Sequence, residues 1–366
     1  MSILICFGTR PEAIKMAMLC KAFDSYNIKY KLCVTAQHRD MLDQVLNFFQ
    51  LKPDYDLDLM RPDQSLNSLS ARILEGVDSI LNNEKFNLVL VHGDTTTAAM
   101  VALAAFNNQC KVGHVEAGLR TYNKQNPFPE EVNRQIIGRV ADFHFAPTQE
   151  AKNNLLQENI SENNIIVTGN TVIDALQWTL EKVRTSSFTS AEIKILEEKI
   201  DFSKKVILVT GHRRENFGTG LKNVCKSLLQ IAEKDVEIIF PVHLNPQVKN
   251  TVFNLLSDIS NIHLIDPLDY PSFVWLMSRA DLIISDSGGI QEEAPTLGVP
   301  VIVTRKTSER AEGLEGGCSY LAGTDIVLIF KYAEELLNKQ KQEFFENPYG
   351  DGKASKRIIK FIISNF

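Results

Sequence analysis

The chain of 366 residues is 44% hydrophobic and 23% charged, the balance of a globular protein with room for two domains. With 39 basic against 45 acidic residues the net charge is −6, and no long basic run occurs, which speaks against nucleic acid or an anionic membrane as partner. Six scattered cysteines, with no C-x-x-C pair and no zinc-spaced Cys/His cluster, fit reduced thiols and no metal site; no signal peptide or membrane-spanning apolar run is read, so a cytoplasmic protein without a membrane partner is expected.

Ser2 to Phe7 is an apolar run of the kind a buried parallel strand shows. It breaks at Gly8-Thr9-Arg10-Pro11-Glu12 and resumes as the helical pattern AIKMAMLCKAF. Arg10 and Lys15 would project from the carboxyl end of this strand, where open α/β sheets bind ligands. Lys31 to Thr35 is the next strand, leading through Gln37-His38-Arg39-Asp40 to an amphipathic helix from Met41, and a further helical pattern runs from Leu66 to Leu81. Strand Asn87 to Val91 ends in HGDTTT and strand Lys111 to Val115 in EAGLR, so Asp94 and Glu116 take equivalent strand-end places. A polar loop, Thr121 to Pro129, precedes Glu130-Glu131 at the head of another helix. Capping of strand and helix ends is the plain alternative for Asp94, Glu116 and Glu130; three carboxylates meeting on one edge argue for a site. Phe143 to Ala146 and Ile165 to Thr168 read as the last strands of this half.

The helix starting after Asn170 reads as a connector, giving domains 1–170 and 171–352, with the amphipathic segment 353–366 returning to the first. A second βα series has strands at Val206 to Thr210, Glu237 to Val242, His263 to Ile265, Leu282 to Ser285 and Val299 to Thr304. The expectation is an α/β protein of two Rossmann-like, doubly wound domains facing across a cleft. GHRREN, from Gly211, puts His212 and Arg213 beside that cleft; His243 in PVHLNP has the same strand-end position, Arg310 is a third basic candidate, and His263 reads as core.

The stretch DLIISDSGGIQEEAPTLG, Asp281 to Gly298, carries an apolar strand into Ser287-Gly288-Gly289. Adjacent glycines permit close approach of the backbone, and a helix start favours an anion such as phosphate. Glu292 and Glu293 follow, suited to accept from a pair of sugar hydroxyls, so the stretch reads as a nucleotide site with an ordinary α/β turn as the alternative. Pro295 implies that the helix starts later than Gly289 or is kinked. No G-x-G-x-x-G fingerprint, Walker A loop or H-E-x-x-H helix is present, which weakens redox, ATP-hydrolysing and zinc chemistries.

With GTRPEAIKMA, TAQHRDMLDQVL, HGDTTT, GHVEAGLRT, PFPEEVNRQ, VTGNTVIDAL, VTGHRREN, PVHLNP and DSGGIQEEAP in order over nearly its whole length, the chain resembles the non-hydrolysing UDP-N-acetylglucosamine 2-epimerases. The resemblance implies a glycosyltransferase-B-like architecture. It also implies interconversion of UDP-N-acetylglucosamine and UDP-N-acetylmannosamine, by elimination of UDP to a 2-acetamidoglucal and re-addition without a cofactor, supplying surface polysaccharide synthesis. Carried onto matching positions, it makes Asp94, Glu116, Glu130 and His212 catalytic, and Arg10, Lys15, His243, Phe273, Ser287, Gly288, Gly289, Glu293 and Arg310 substrate-binding. It further implies a homodimer activated by a second UDP-N-acetylglucosamine at Gln37, His38 and Arg213. Leu268, Ala311 and Asp63 depart from residues usual in the family near the base, after the arginine and at the activator site. A glycosyltransferase or a silent UDP-sugar sensor would share the Gly-Gly loop; three carboxylates around a donor sugar suit proton removal and return instead.

Overall fold

Among the residues described by the computed structural model, 1–35, 39–61, 63–185, 187–211, 213, 216–308, 310–339 and 346–366, short apolar strands build two parallel sheets. The first contains β1 (Ile3–Phe7), β2 (Tyr30–Val34), β3 (Tyr55–Asp56), β4 (Leu88–His92), β5 (Lys111–Val115), β6 (Phe143–Ala146) and β7 (Ile165–Val167), in the order β3-β2-β1-β4-β5-β6-β7. The intervening helices are α1 (Arg10–Ser25), α2 (Arg39–Phe48), α3 (Leu66–Asn83), α4 (Thr96–Asn107), α5 (Glu130–Val140) and α6 (Gln149–Gln157), and α7 (Thr171–Val183) follows β7. A strand covered by helices on both faces cannot alternate polar and apolar residues, and β1 and β4 accordingly are buried along their whole length. Each large apolar side chain so buried contributes roughly 1.5–3 kcal/mol.

The second sheet is β10-β9-β8-β11-β12-β13, built from β8 (Lys205–Thr210), β9 (Val236–Pro241), β10 (Ile262–Ile265), β11 (Leu282–Ser285), β12 (Val301–Val303) and β13 (Ser319–Leu321). Its helices are α8 (Ala191–Lys199), α9 (Thr219–Ile231), α10 (Pro246–Leu256), α11 (Tyr270–Arg279), α12 (Gly288–Glu293), α13 (Ala311–Glu315) and α14 (Ile326–Leu337). The last helix, α15 (Ala354–Asn365), packs on α1, its Phe361 ring 5.3 Å from Phe143 and 5.7 Å from Phe145. The chain divides into one unit of Met1–Ala175 with Tyr349–Phe366 and another of Leu176–Pro348.

Each unit is thus a Rossmann-like, doubly wound α/β layer. Strand order reverses between β1 and β4 in one and between β8 and β11 in the other, and the crevice beyond such a reversal is where ligands bind. The segments leaving these four strands are Gly8-Thr9-Arg10, Gly93-Asp94-Thr95, the segment from Gly211, and Asp286-Ser287-Gly288.

Several expectations are corrected. Helix α12 starts at Gly288 but is only six residues long; it stops at Glu293, and Pro295 sits in the first turn of the 3₁₀ segment that follows, Ala294–Leu297, where a missing N–H costs nothing. His263 is not core: β10 is a sheet edge, and its Nε2 lies 2.5 Å from Glu237 Oε2. Strands β3 and β13 had no sequence signal, because two or three residues at an edge are too short for any hydrophobic period. No helix among the described residues is long and apolar enough to cross a membrane, and all six cysteines are unpaired.

Candidate active site

In the first unit, G-T-R-P-E is first of all a helix start. Thr9 caps α1, Pro11 occupies its first turn, and Glu12 completes a capping box by accepting from the Thr9 N–H at 2.8 Å. Glu12 does more than cap. Its Oε2 also accepts from Gly8 N at 3.1 Å and Thr9 Oγ1 at 2.8 Å, while Oε1 accepts from Thr95 Oγ1 at 2.8 Å, joining the loops after β1 and β4. Burial pushes its carboxyl up to about 7 against the pull of these four donors. A side chain at Gly8 would meet Thr35 Oγ1 at 2.2 Å and Thr97 Oγ1 at 2.6 Å, so the loop that presents half-buried Arg10 tolerates only glycine there.

Asp94 is clamped by α5. Arg134 donates to its Oδ2 from Nε at 3.0 Å and from Nη2 at 2.7 Å, and Asn133 Nδ2 donates to its backbone carbonyl at 2.8 Å. Arg134 also reaches Glu131 Oε2 at 3.2 Å, and Glu131 accepts from the backbone N–H groups of Thr121 and Tyr122 at 2.9 and 3.1 Å. Burial alone would raise the Glu131 carboxyl; those N–H groups, Gln135 and the guanidinium together hold it below the ordinary range. The neighbouring pair Glu130-Glu131 therefore splits in role. Glu131 is consumed by structure, whereas Glu130 Oε2 is buried with no hydrogen-bond partner among the described residues.

Glu116 follows β5, next to β4, with φ at +63°, a left-handed backbone that a non-glycine residue seldom adopts. Its Oε2 receives Lys15 Nζ in a short ion pair and Asn170 Nδ2 at 2.8 Å, and His92 Nε2 lies 3.8 Å away. Lys15, which the resemblance puts near the substrate diphosphate, pairs here with a carboxylate of its own unit. Behind this, His114 Nε2 is 2.7 Å from the Gly93 carbonyl; burial holds its imidazole well below the usual range, so the neutral ring carries its proton on Nε2 and donates it there.

In the second unit, Ser285 Oγ accepts from Ser287 N at 2.9 Å and meets Thr210 Oγ1 at 2.7 Å, tying the ends of β8 and β11 together. Buried Asp286 accepts from Arg213 N at 3.0 Å and Asn216 Nδ2 at 3.2 Å, which shapes the turn carrying Arg213. Arg213 Nε is buried and has no partner among the described residues. Arg310 Nε and Nη2 bond Glu292 Oε1 at 3.1 and 2.7 Å, laying the guanidinium so close over Gly288 that a Cβ there would stand 2.8 Å from Arg310 Cζ. Glu292, read from sequence as placed beside a sugar hydroxyl, anchors the arginine through Oε1. Glu293 Oε1 accepts from Tyr270 Oη at 2.9 Å. Phe273 is half-buried on α11, and His243 is exposed after β9, its Nδ1 accepting from Asn245 N at 3.1 Å. Gln37, His38 and His212 lie outside the described residues.

Sequence reasoning missed Glu12, Glu131, Arg134, Asn170, Tyr270 and Asp286 as parts of these sites. The T-x-x-E capping box at Thr9 and the asparagine heading α7 were readable signals; Arg134 and Tyr270 carried none. Among the described residues no group of His, Cys, Asp and Glu gathers into a metal site.

Residues 21–363 match the family model for UDP-N-acetylglucosamine 2-epimerase. A UDP-N-acetylglucosamine 2-epimerase of Campylobacter jejuni is 52% identical over 99% of this chain and 97% of its own length. Among solved structures, the UDP-GlcNAc 2-epimerase of Neisseria meningitidis, bound to UDP-GlcNAc, is 47% identical with a TM-score of 0.93 and full coverage of both chains. S. aureus MnaA, solved with UDP, is 42% identical with a TM-score of 0.88, covering 100% of this chain and 97% of its own. On this identity over its whole length, and with both strand-order reversals carrying the residues described above, the chain belongs to the UDP-N-acetylglucosamine 2-epimerase family.

Proposed function

We propose that this chain interconverts UDP-N-acetylglucosamine and UDP-N-acetylmannosamine. The observation that carries the reading is Glu116, a buried carboxylate on a left-handed backbone with Oε2 tied to Lys15 and Asn170, beside Arg134-held Asp94 at the end of the adjacent strand. Both groups are fixed before any substrate arrives, as acid–base catalysis requires.

The C2 proton of the sugar is not acidic while the anomeric bond is intact. The C1–oxygen bond breaks first and its electron pair leaves with UDP; the oxocarbenium-like ring then makes C2–H acidic, a carboxylate takes the proton, and the C1=C2 bond of 2-acetamidoglucal forms. Protonation of C2 on the opposite face and return of the UDP oxygen to C1 complete the inversion. No net oxidation occurs, so the route calls for no hydride acceptor. Arg310, set over Gly288 by Glu292, stabilises the charge developing on the departing diphosphate, with Ser287, Gly289 and Arg10 in the same role, and Glu293 serves the ribose. Asp94, Glu116 and Glu130 share the proton transfers, and His212 joins the arginines in stabilising the departing diphosphate. The product serves surface polysaccharide synthesis.

Incubation in heavy water tests the route: product carries deuterium at C2 by NMR, free UDP and the glycal escape occasionally, and Asp94→Asn or Glu116→Gln blocks both. Product keeping its original hydrogen at C2 overturns it. Activation by a second UDP-N-acetylglucosamine involves Arg213, whose buried Nε has spare hydrogen-bonding capacity among the described residues. UDP-N-acetylmannosamine alone should then react only after a lag, and full initial velocity without one would refute the second site.

A further inference from the structure

Lys15 alone would specify Glu116 poorly, because an ammonium on a flexible four-carbon stem follows a carboxylate wherever it turns. Asn170 cannot follow. It is 3% exposed, its Oδ1 accepts from Val172 N at 3.0 Å, its N–H donates to the Tyr349 carbonyl at 2.7 Å, and its own carbonyl accepts from Ile173 N at 3.2 Å. Since Oδ1 faces an N–H donor, Nδ2 is the atom directed at Glu116 Oε2, 2.8 Å away, and a flipped amide would break both bonds.

Helix capping accounts for only half of this residue. Asparagine, aspartate and serine cap about equally well, so the Val172 bond would be met by any of them. Only asparagine among the three both accepts from that N–H and donates to a carboxylate at amide reach. The donor half is what a cap does not need.

We propose that Asn170 is a positioning residue for epimerisation, locking Oε2 of Glu116 and so fixing the carboxylate that moves the C2 proton. The proposal rests on the reading of Glu116 as a proton-transfer group. Rigid placement matters because a misplacement of about 1 Å at a reacting group costs on the order of 10²-fold in rate.

The test uses Asn170→Asp, which keeps shape and cap but turns the donor into a second carboxylate against Glu116. At neutral pH we expect kcat, read as deuterium wash-in at C2, to fall roughly 10²-fold with KM little changed. Acidification protonates the introduced carboxyl, supplies an O–H donor and restores part of the rate, a limb that the parent enzyme lacks. Asn170→Ser, which caps but cannot reach Glu116, should lose kcat without such recovery and with little change in melting temperature; it decides the matter if the aspartate variant does not fold. Parental kcat in Asn170→Ser, or a parental pH profile in a folded Asn170→Asp, while Glu116→Gln is inactive, overturns the positioning role alone. An active Glu116→Gln overturns the reading beneath it.

Discussion

Arg134 grips a single oxygen of Asp94 with two nitrogens, at 3.0 and 2.7 Å, and turns its third to Glu131 at 3.2 Å. One guanidinium thereby fixes a strand-end carboxylate and the clamp on the loop at Thr121 and Tyr122. Arg134→Lys keeps the charge but loses the fork, and we expect activity at least tenfold lower with the fold intact. Arg134→Ala leaves two carboxylates without their partner and should cost about 3 kcal/mol in urea unfolding. Parental activity in the lysine variant would refute the geometric role.

Stability against pH should reveal Glu12. Its folded carboxyl titrates at about 7 because burial outweighs the donors around it, against about 4.5 in the open chain. The folded state therefore holds the proton longer, and this group's stabilising contribution, full below about 4.5, is lost by about 3 kcal/mol as pH rises to 7. His144 runs the other way: burial lowers it to about 4, so protonation of the unfolded chain removes stability as pH falls from about 6.5 to 4. Buried His114, also held well below the usual range, adds to the histidine slope, and Glu12 opposes it in the parent. Glu12→Gln uncovers the histidine slope, and its stability relative to the parent should improve by about 3 kcal/mol between pH 4.5 and 7; an equal difference at both ends would disprove the assignment.

Gly288→Ala tests the proposed nucleotide loop. The added Cβ would stand 2.8 Å from Arg310 Cζ, and the Glu292 bonds leave that guanidinium little freedom to retreat. We expect UDP affinity, measured by calorimetry, to fall at least tenfold, equivalent to about 1.4 kcal/mol or more, with a melting temperature close to the parent's. Unchanged affinity would remove Arg310 from the diphosphate.

The elements carrying the candidate site residues were those best read in advance. Ile3 to Phe7, Leu88 to Val91 and Leu282 to Ser285 are continuous apolar runs that end in glycine and polar residues, so Arg10, Asp94 and Ser287 could be placed at strand ends by local pattern alone. What failed was partner choice. Glu292 and Glu293 look interchangeable in sequence, yet Arg310 takes the first and Tyr270 the second. Glu130 and Glu131 divide likewise, since only Glu131 meets the N–H groups of Thr121 and Tyr122.

By itself the sequence determined two βα series and the strand-end positions of the candidate carboxylates, because burial in a parallel sheet and helix initiation are recorded in runs of a few neighbouring residues. Only the tertiary structure decided that Glu116 is held by Lys15, 101 positions away, and by Asn170, 54 positions away. Such pairs leave no periodic trace, since they depend on which strand ends the order of the sheet brings together and on which donors burial then leaves within reach of each oxygen.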